Sequence, residues 1–320
     1  MAAERQPFRP ELLPGVGVGT ILIGATIREV LAVLQQNPDI FTNVDIKFCA
    51  ENTKSMDIVL EIPTIGMNIV LDSREQRVRM IELWKPREFA LLYCGVPCCG
   101  PKVLPTFPCV YHQLGPTMPG EYKEEMQAYW LVYPGVTFLF PIPPKYGHCF
   151  ASEKDLAFVL PDGSTPVASR IRVHAMGDPT GSVPPPLPSS ASYMEPVTVW
   201  PSGRLCFSRR CCQLDFSSTP QDVVGYLGKP SGTMQKRIDK LRIHALQGTG
   251  CAHYFFNYND LGIDVLFDAN RHSIRKLVLH TNCPAHVDFN DYAKCNFRLR
   301  VPAPRSHSQG LEGDGEEEEG

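Results

Sequence analysis

The feature that most constrains the fold is an internal repeat: residues 260–280 resemble residues 64–84 when the two segments are aligned with a shift of 196 positions. Each segment reads as an apolar strand, a polar turn begun by an aspartate (Asp72 or Asp268) and a second, alternating strand. Aspartate suits the first turn position because its carboxylate accepts hydrogen bonds from backbone N–H groups two residues on. The sequence therefore predicts two hairpins of one design, and not a ligand site.

A similar helix is predicted before each hairpin. Thr26 is a candidate N-cap for a segment whose apolar residues at 27, 30, 31 and 34 share one helical face. In the second copy Thr219 is followed by Pro220, an acidic residue in the first turn, and Gly228 as a stop signal. A degenerate third copy is indicated between them by residues 112–116 and 133–140.

These units predict an α+β fold of tandem helix-plus-antiparallel-sheet repeats packed side by side, because such units bury their apolar faces against each other. The predicted segments are a first repeat at 1–90, a second, degenerate repeat at 91–177, a proline-rich connector at 178–200, a third repeat at 201–302 and a disordered acidic tail at 303–320. The connector is expected to be stiff and extended.

The charge distribution argues against nucleic acid as a partner. The tail from Ala303 carries Arg305 against six acidic residues, a net charge of −5, which leaves +2 for the remainder of a chain whose total is −3. A nearly neutral body with an acidic tail is unlike a nucleic-acid-binding surface. The N-terminal sequence shows no secretory signal, so a reducing compartment and mostly free thiols are expected for the 12 cysteines.

Three motifs are considered as chemical sites and set aside. The glycines at 15, 17 and 19 are followed by an apolar strand signal, Thr20–Ile23, before the helix, whereas a phosphate-binding loop leads directly from a strand into its helix. The thiols at 94, 98, 99 and 109 have no zinc-knuckle spacing, and those at 206, 211 and 212 have none either. No catalytic set, cofactor or resident metal is predicted from these motifs.

A cluster of soft ligands gives the alternative function, a metal-binding or Cys/His-dependent enzyme built on residues 251–286. It would use Cys251, His253, His280, Cys283 and His286, which converge if residues 251–257 pair with 277–283. The competing interpretation is that these side chains cap the end of a sheet. In the nearby aromatic run, Tyr254, Phe256 and Tyr258 share one strand face if Phe255 faces the core, and that face is then covered by a neighbouring repeat or free for docking.

Residues 254–299 resemble the signature segment of the phagophore assembly factor family. That segment runs Tyr-Phe-Phe-Asn-Tyr, then Leu-Gly-hydrophobic-Asp-hydrophobic-Leu-Phe-Asp, then Leu-His-Thr-Asn-x-Pro-x-His, and it is matched by 254–258, 261–268 and 279–286. Upstream segments around 24–38, 91–122 and 216–230 are similar in order and spacing, so the resemblance covers roughly residues 10–300. Two departures are an acidic tail where the family carries a further helix-plus-strands unit, and Cys283 where an aromatic is common.

The resemblance implies a non-enzymatic cytoplasmic adaptor that acts with a WD-repeat β-propeller protein, as a heterodimer, at early autophagosomal membranes, and in vesicle traffic with the Golgi as a second location. Phosphoinositide contact is then indirect, through the propeller. Direct lipid binding is a weaker alternative, because the basic stretch 236–242 is short for a membrane-surface helix. The residues predicted to contact the partner are Tyr254, Phe256, Tyr258, His280, Asn282 and His286.

Overall fold

The computed structural model describes residues 9–52, 55–150, 159–188, 191–235 and 253–301. The chain divides into two compact units, each discontinuous in sequence. Unit 1 comprises Met1–Tyr193 with Thr281–Lys294, and unit 2 comprises Met194–His280 with Cys295–Gly320. The predicted acidic tail, the basic stretch 236–242 and Cys251 lie outside the described residues.

Unit 1 contains thirteen strands, two α-helices and two short 3₁₀ turns among its described residues. In chain order these are β1 (Leu12–Leu13), β2 (Gly17–Val18), β3 (Ile21–Leu22), α1 (Ile27–Gln36), β4 (Asp45–Lys47), β5 (Ile58–Ile62), β6 (Met67–Leu71), β7 (Val78–Leu83), β8 (Leu91–Tyr93), β9 (Val96–Cys99), α2 (Phe107–Leu114), β10 (Glu121–Lys123), a 3₁₀ turn (Glu124–Met126), β11 (Ala128–Tyr133), β12 (Val136–Pro141), a 3₁₀ turn (Pro144–Phe150) and β13 (Arg170–His174).

Two four-stranded meanders join edge to edge in unit 1. The eight-stranded sheet has the order β10-β11-β12-β13-β7-β6-β5-β4, so the last strand of each meander, β7 and β13, forms the central antiparallel pair. The strands β1, β2 and β3 form a small separate sheet, and β3 is the strand predicted between the glycines and the helix. Buried side chains of α1, α2 and the inner sheet face form one core, with Leu60, Ile69 and Phe138 at its centre.

Unit 2 has eight strands and one helix in the described part of the chain. They are β14 (Pro196–Val199), β15 (Leu205–Phe207), β16 (Cys212–Leu214), α3 (Pro220–Leu227), β17 (Gly232–Gln235), β18 (Tyr254–Tyr258), β19 (Ile263–Phe267), β20 (Ile274–Leu279) and β21 (Asn296–Leu299). One sheet has the order β16-β15-β14-β21, with β14 and β21 parallel, and the other is the meander β17-β18-β19-β20. With three helices beside many antiparallel strands, the predicted α+β class is confirmed.

Both predicted hairpins are present and match in detail. Asp72 Oδ1 accepts the N–H groups of the residues two and three positions on, at 2.9 and 2.6 Å, and Asp268 Oδ1 does the same at 2.9 and 3.1 Å. The strand register shifts by one residue at the equivalent place, between Val70 and Leu71 in one hairpin and between Leu266 and Phe267 in the other. The two hairpins therefore have the same turn and a bulge at the same place.

The predicted helix starts are confirmed at both threonines. Thr26 accepts the backbone N–H of Glu29, and Glu29 in turn accepts the backbone N–H of Thr26 at 2.7 Å, which completes a capping box. Thr219 and Asp222 form the same reciprocal pair before α3, with Pro220 in its first turn and Gly228 at its end. Each cap satisfies N–H groups that the helix itself leaves without partners.

The connector differs from its prediction at both ends. Asp178 begins it with a tight turn, accepting the N–H groups of Thr180, Ser182 and Val183, and Pro185 accepts a 2.7 Å hydrogen bond from Arg77. Its last residues form β14, paired with β15 and β21. Proline content predicts an extended chain, but hydrogen bonds to partners remote in sequence fix where that chain lies.

Candidate interaction site

The soft-ligand cluster proposed from the sequence is not assembled in the described residues. Strand β18 pairs with β17 and β19, so β19 lies between β18 and β20, and the predicted pairing of 251–257 with 277–283 is wrong. A meander places consecutive strands side by side and separates alternate ones. In the described part of the chain, no group of three or more His, Cys, Asp or Glu side chains is arranged to hold a metal ion.

The histidines of that cluster have separate partners. His253 accepts the Ala269 N–H at 3.2 Å beside the Asp268 turn. His280 Nε2 lies 3.0 Å from Asp264 Oδ2, and Asp264 Oδ1 accepts the Asn257 side-chain amide at 2.8 Å. These bonds join neighbouring strands of the meander, as expected for side chains that cap and cross-link a sheet.

The aromatic run alternates as predicted, but the two faces are reversed. Tyr258 is buried, and Tyr254 and Phe256 pack with it against the core of unit 2. Tyr258 also donates its hydroxyl hydrogen bond to Gly228 O at 3.0 Å, closing the end of α3. Phe255 therefore points away from this core, opposite to the premise of the prediction. Whether these aromatics contact a partner stays a prediction.

Asn282 anchors the segment that follows β20. This segment, residues 281–294, belongs to unit 1 and is called the strap here. The Asn282 side chain donates to Gln76 Oε1 at 2.9 Å, its backbone carbonyl accepts Gln76 Nε2 at 2.8 Å, and its Oδ1 accepts the Asn290 N–H at 2.8 Å. Both Asn282 and Gln76 are buried, so every one of these bonds replaces water that the side chains have lost.

Further contacts hold the strap along its length. Lys294 donates to the Ser73 carbonyl at 2.9 Å, and Phe289 packs against the core of unit 1. Gln76 and Ser73 belong to the turn between β6 and β7, the equivalent of the Asp268 turn. The same turn accepts a 2.6 Å hydrogen bond from Tyr193 at Glu75 O. The turn of the first hairpin thus binds two parts of the chain that are remote in sequence, the strap and Tyr193.

Between its anchors the strap presents an exposed loop, residues 285–288. Val287 is 91% exposed, and His286 and Asp288 beside it are also exposed, with His286 Nδ1 3.3 Å from Asp288 Oδ2. Successive turns shape the loop, since His286 N–H bonds Cys283 O and Phe289 N–H bonds His286 O. Single exposed apolar side chains are common on protein surfaces, so it is the order of this loop together with the exposure of Val287 that makes it a candidate contact surface.

The predicted contact residues include Asn282 and His286 but not Gln76, Lys294 or Val287. The anchoring residues give no local signal, because Gln76 and Asn282 lie 206 positions apart. Val287 could have been noticed as an isolated aliphatic residue within a polar, proline-containing stretch. The structure therefore shows that residues 285–288 of the signature segment form an exposed loop, which residue types alone do not indicate.

Several thiols are shielded from reaction by burial. Cys98, Cys99 and Cys295 are buried free thiols. Burial raises the pKa of Cys295 to about 12, and a hydrogen bond with Cys98 together with burial raises the pKa of Cys99 far above its usual range. A raised pKa lowers the thiolate fraction and with it nucleophilicity. These cysteines act as small apolar core residues.

No solved structure matches the chain. Among the curated relatives that do match are three PHAF1 proteins. The protein of Arabidopsis thaliana is 39% identical over 92% of this chain and 75% of the relative. Those of Drosophila melanogaster and Caenorhabditis elegans are 31% identical over 92% and 74%, and 26% identical over 90% and 77%, respectively. None of the helices in the described part of the chain combines the length and apolar character that crossing a bilayer requires.

Fold and site together define an α+β protein of antiparallel meanders that carries an exposed loop on an anchored strap. The model of the family described as phagosome assembly factor 1 matches residues 17–314. The chain belongs to that family, and the resemblance seen in its signature segment is confirmed.

Proposed function

We propose that this protein is a non-enzymatic adaptor in phagosome assembly that acts with a WD-repeat β-propeller protein at early autophagosomal membranes, and that the loop at 285–288 is its docking element. Family membership supports the assembly role. The observation that carries the docking role is Val287, 91% exposed between two anchored ends of the strap. A loop that is already ordered loses little conformational entropy when a partner binds.

The adaptor role is favoured by what the polar side chains do. His280, His253 and His174 are each hydrogen-bonded within their own sheet or turn, and Cys99 and Cys295 are core residues with raised pKa values. A catalytic histidine or cysteine has to reach a substrate, and these are committed to structure. The activity proposed for the chain is therefore the presentation of a surface.

The six residues predicted to contact the partner take different parts in this proposal. His286 contacts the partner directly beside Val287, whereas Asn282 acts by positioning the loop. Tyr258 supports the core of unit 2, as does the side of β18 that Tyr254 and Phe256 share. His280 cross-links strands through Asp264. Phosphoinositide membranes are reached through the propeller partner, because the nearly neutral body offers little attraction for an anionic surface.

Replacement of Val287 by Asp tests the docking loop. We expect V287D to reduce co-purification of the WD-repeat protein at least about tenfold, which corresponds to about 1.4 kcal/mol, since it places a charge where an apolar contact forms. The matched control is M118D, because Met118 is an equally solvent-exposed apolar residue, 83% exposed, in the same unit. Circular dichroism confirms that both variants fold.

Four results would decide against the proposal or a part of it. Equal binding by V287D and the wild type would remove the loop from the interface. Equal loss in V287D and M118D would show a non-specific effect of charge. A wild-type protein that retains no WD-repeat partner under autophagy induction would end the adaptor proposal itself, and flotation with phosphoinositide liposomes in the absence of the propeller would contradict indirect membrane contact.

A further inference from the structure

We infer that two copies of this chain associate through the outer edge of β20, antiparallel and about a twofold axis at Val278. The inference rests on unit 2 alone and on a template that unit 1 supplies. It is independent of the docking loop, which belongs to the other unit. An edge strand carries unpaired backbone groups that can accept a strand of another chain.

The template is the pairing of β7 with β13 in unit 1. One backbone hydrogen bond recurs in the three meanders and identifies equivalent positions in their last strands. In each meander, the residue at or just after the end of the last strand donates its N–H to the carbonyl of the glycine that precedes the third strand. These bonds are Trp84 to Gly66 at 2.8 Å, His174 to Gly135 at 3.2 Å and His280 to Gly262 at 2.8 Å. Counting back two residues from each donor makes Glu82, Arg172 and Val278 equivalent positions.

The β7–β13 pair has a local twofold symmetry at this position. Glu82 lies directly opposite Arg172, and Ile81 and Leu83 lie opposite Val173 and Ile171. Since Glu82 and Arg172 are equivalent, each meander joins the other by the same stretch of its last strand. At the centre of this symmetric pairing the two side chains form an ion pair, with Arg172 Nε 2.8 Å from Glu82 Oε1. Two meanders of this design thus have an established way of pairing.

In unit 2 the same stretch lies at the end of its sheet. Strand β20 is the last in the order β17-β18-β19-β20, and within the described residues no strand lies beyond it. Leu277 and Leu279 are partly buried, whereas their equivalents Ile81 and Leu83, on a strand paired with β13, are 0% exposed. The first residue of the edge strand has the same kind of partner in both units. Ile274 of β20 donates its N–H to the Ser218 carbonyl, and Val78 of β7 donates its N–H to the Ala25 carbonyl.

The backbone of β20 is oriented for this pairing. The His280 N–H donates to the Gly262 carbonyl, so the backbone groups of His280 point toward β19. The backbone groups of successive strand residues point in alternate directions. Those of Val278 therefore also point toward β19, and those of Leu277 and Leu279 point toward the open edge. Applying the unit 1 register, Leu277 pairs with Leu279 of the second copy, and the reverse pair forms across the axis. Val278 then faces its own counterpart in a non-hydrogen-bonded pair, where side chains approach closely.

The chemistry of the central position favours a second copy as the occupant. In unit 1 the two meanders differ there, and opposite charges on Glu82 and Arg172 join them. Val278 is uncharged, so two identical strands meet without like-charge repulsion and gain a cross-strand pair of β-branched residues. The contact is isologous and closes on itself, which is the commonest symmetry of soluble dimers.

The experiment uses charge replacement at the axis and sedimentation of the full chain over a concentration series. We expect a dimer for the wild type, and V278E and V278R each to raise the dimer dissociation constant about tenfold or more because like charges then face each other. Mixing V278E with V278R restores the dimer by recreating the Glu82–Arg172 pair. Thr233, exposed on β17 at the opposite edge, supplies the matched controls T233E and T233R.

A wild type that stays monomeric at every concentration overturns the inference, whatever occupies the edge in its place. It is also overturned if either single variant dimerises as the wild type does, or if the β17 controls weaken the dimer equally. If the mixture of V278E and V278R forms the dimer, both variants are folded. Unfolding of the single variants then cannot explain why each of them alone fails to dimerise.

Discussion

At the scale of single residues, one hydrogen bond recurs in all three meanders with different chemistry. A polar side chain near the start of the third strand lies within hydrogen-bond distance of a ring nitrogen at the end of the fourth. The pairs are Asn68 with Trp84 at 3.2 Å, Thr137 with His174 at 2.9 Å and Asp264 with His280 at 3.0 Å. An indole and two imidazoles therefore occupy the equivalent position and reach across the strands, although the Trp84 nitrogen donates its hydrogen bond to Asn68.

The buried pair of Thr137 and His174 fixes one tautomer. His174 Nδ1 lies 3.0 Å from the Ala175 carbonyl, which can accept but not donate, so Nδ1 carries the hydrogen and Nε2 accepts the Thr137 hydroxyl. Burial, the largest cause, lowers the pKa of His174 below its ordinary value. The neutral ring is therefore the form that the fold stabilises.

This pair predicts a dependence of stability on pH. The unfolded chain protonates His174 near its ordinary pKa of about 6.5, whereas the folded chain does so at lower pH, so the unfolded state binds more protons in between. The stabilising contribution is present above about pH 6.5 and is lost as the pH falls toward the folded pKa. Urea unfolding of wild type and H174Q across this range should show a shallower decline in the variant, and parallel curves would contradict the assignment.

At the scale of elements, local patterns were sufficient where the determining contacts are local. Thr26 and Thr219 cap helices through residues three positions on, and Asp72 and Asp268 organise turns through residues two and three positions on. Such contacts are contained within the sequence pattern that predicts them. The helix starts and both hairpins could therefore be predicted without knowledge of their surroundings.

The two capping boxes give a prediction for matched elements. T26A and T219A should each lower the free energy of unfolding by about 0.5–2 kcal/mol, because each change removes the acceptor for an N–H at the helix start. T26S and T219S keep a hydroxyl and should lose little. Chemical denaturation measures all four, and alanine variants as stable as the serine variants would show that the caps contribute nothing.

The strand Tyr254–Tyr258 shows where a local pattern is insufficient. Alternation determines that Tyr254, Phe256 and Tyr258 share a face, but both faces of this strand are aromatic or partly buried, and the pattern does not say which one meets the core. The answer depends on α3, whose C-terminal carbonyl at Gly228 accepts the Tyr258 hydroxyl. That contact spans 30 residues, beyond any strand motif.

At the scale of the whole molecule, neither unit is a continuous stretch of chain. The strap leaves the meander of unit 2 after His280, forms part of unit 1, and returns at Cys295. At this scale the convergence assumed by the metal or Cys/His hypothesis is not seen among the described residues, because β19 separates β18 from β20 and because Cys283 and His286 belong to the strap. Spacing in the sequence carries no information on such a crossing.

The strap gives a prediction for unit 1. Asn282 and Gln76 both have positive φ, 48° and 52°, so glycine preserves the backbone while removing the side-chain bonds. N282G and Q76G should each cost about 1–3 kcal/mol, since each leaves its buried partner unsatisfied. In a double-mutant cycle measured by urea unfolding, the pair should cost less than the sum of the single changes. Strict additivity would mean that the two amides do not stabilise each other.

The strap also sets an order for folding during synthesis. A ribosome releases the chain from its N-terminus, and domains generally fold as they emerge. Unit 1 cannot do so, because Asn282, Phe289 and Lys294 are translated long after Gln76 and Ser73 have left the exit tunnel. The part of unit 1 that is translated first therefore keeps this turn uncovered until the strap has been synthesised, and this interval is when a chaperone would be needed.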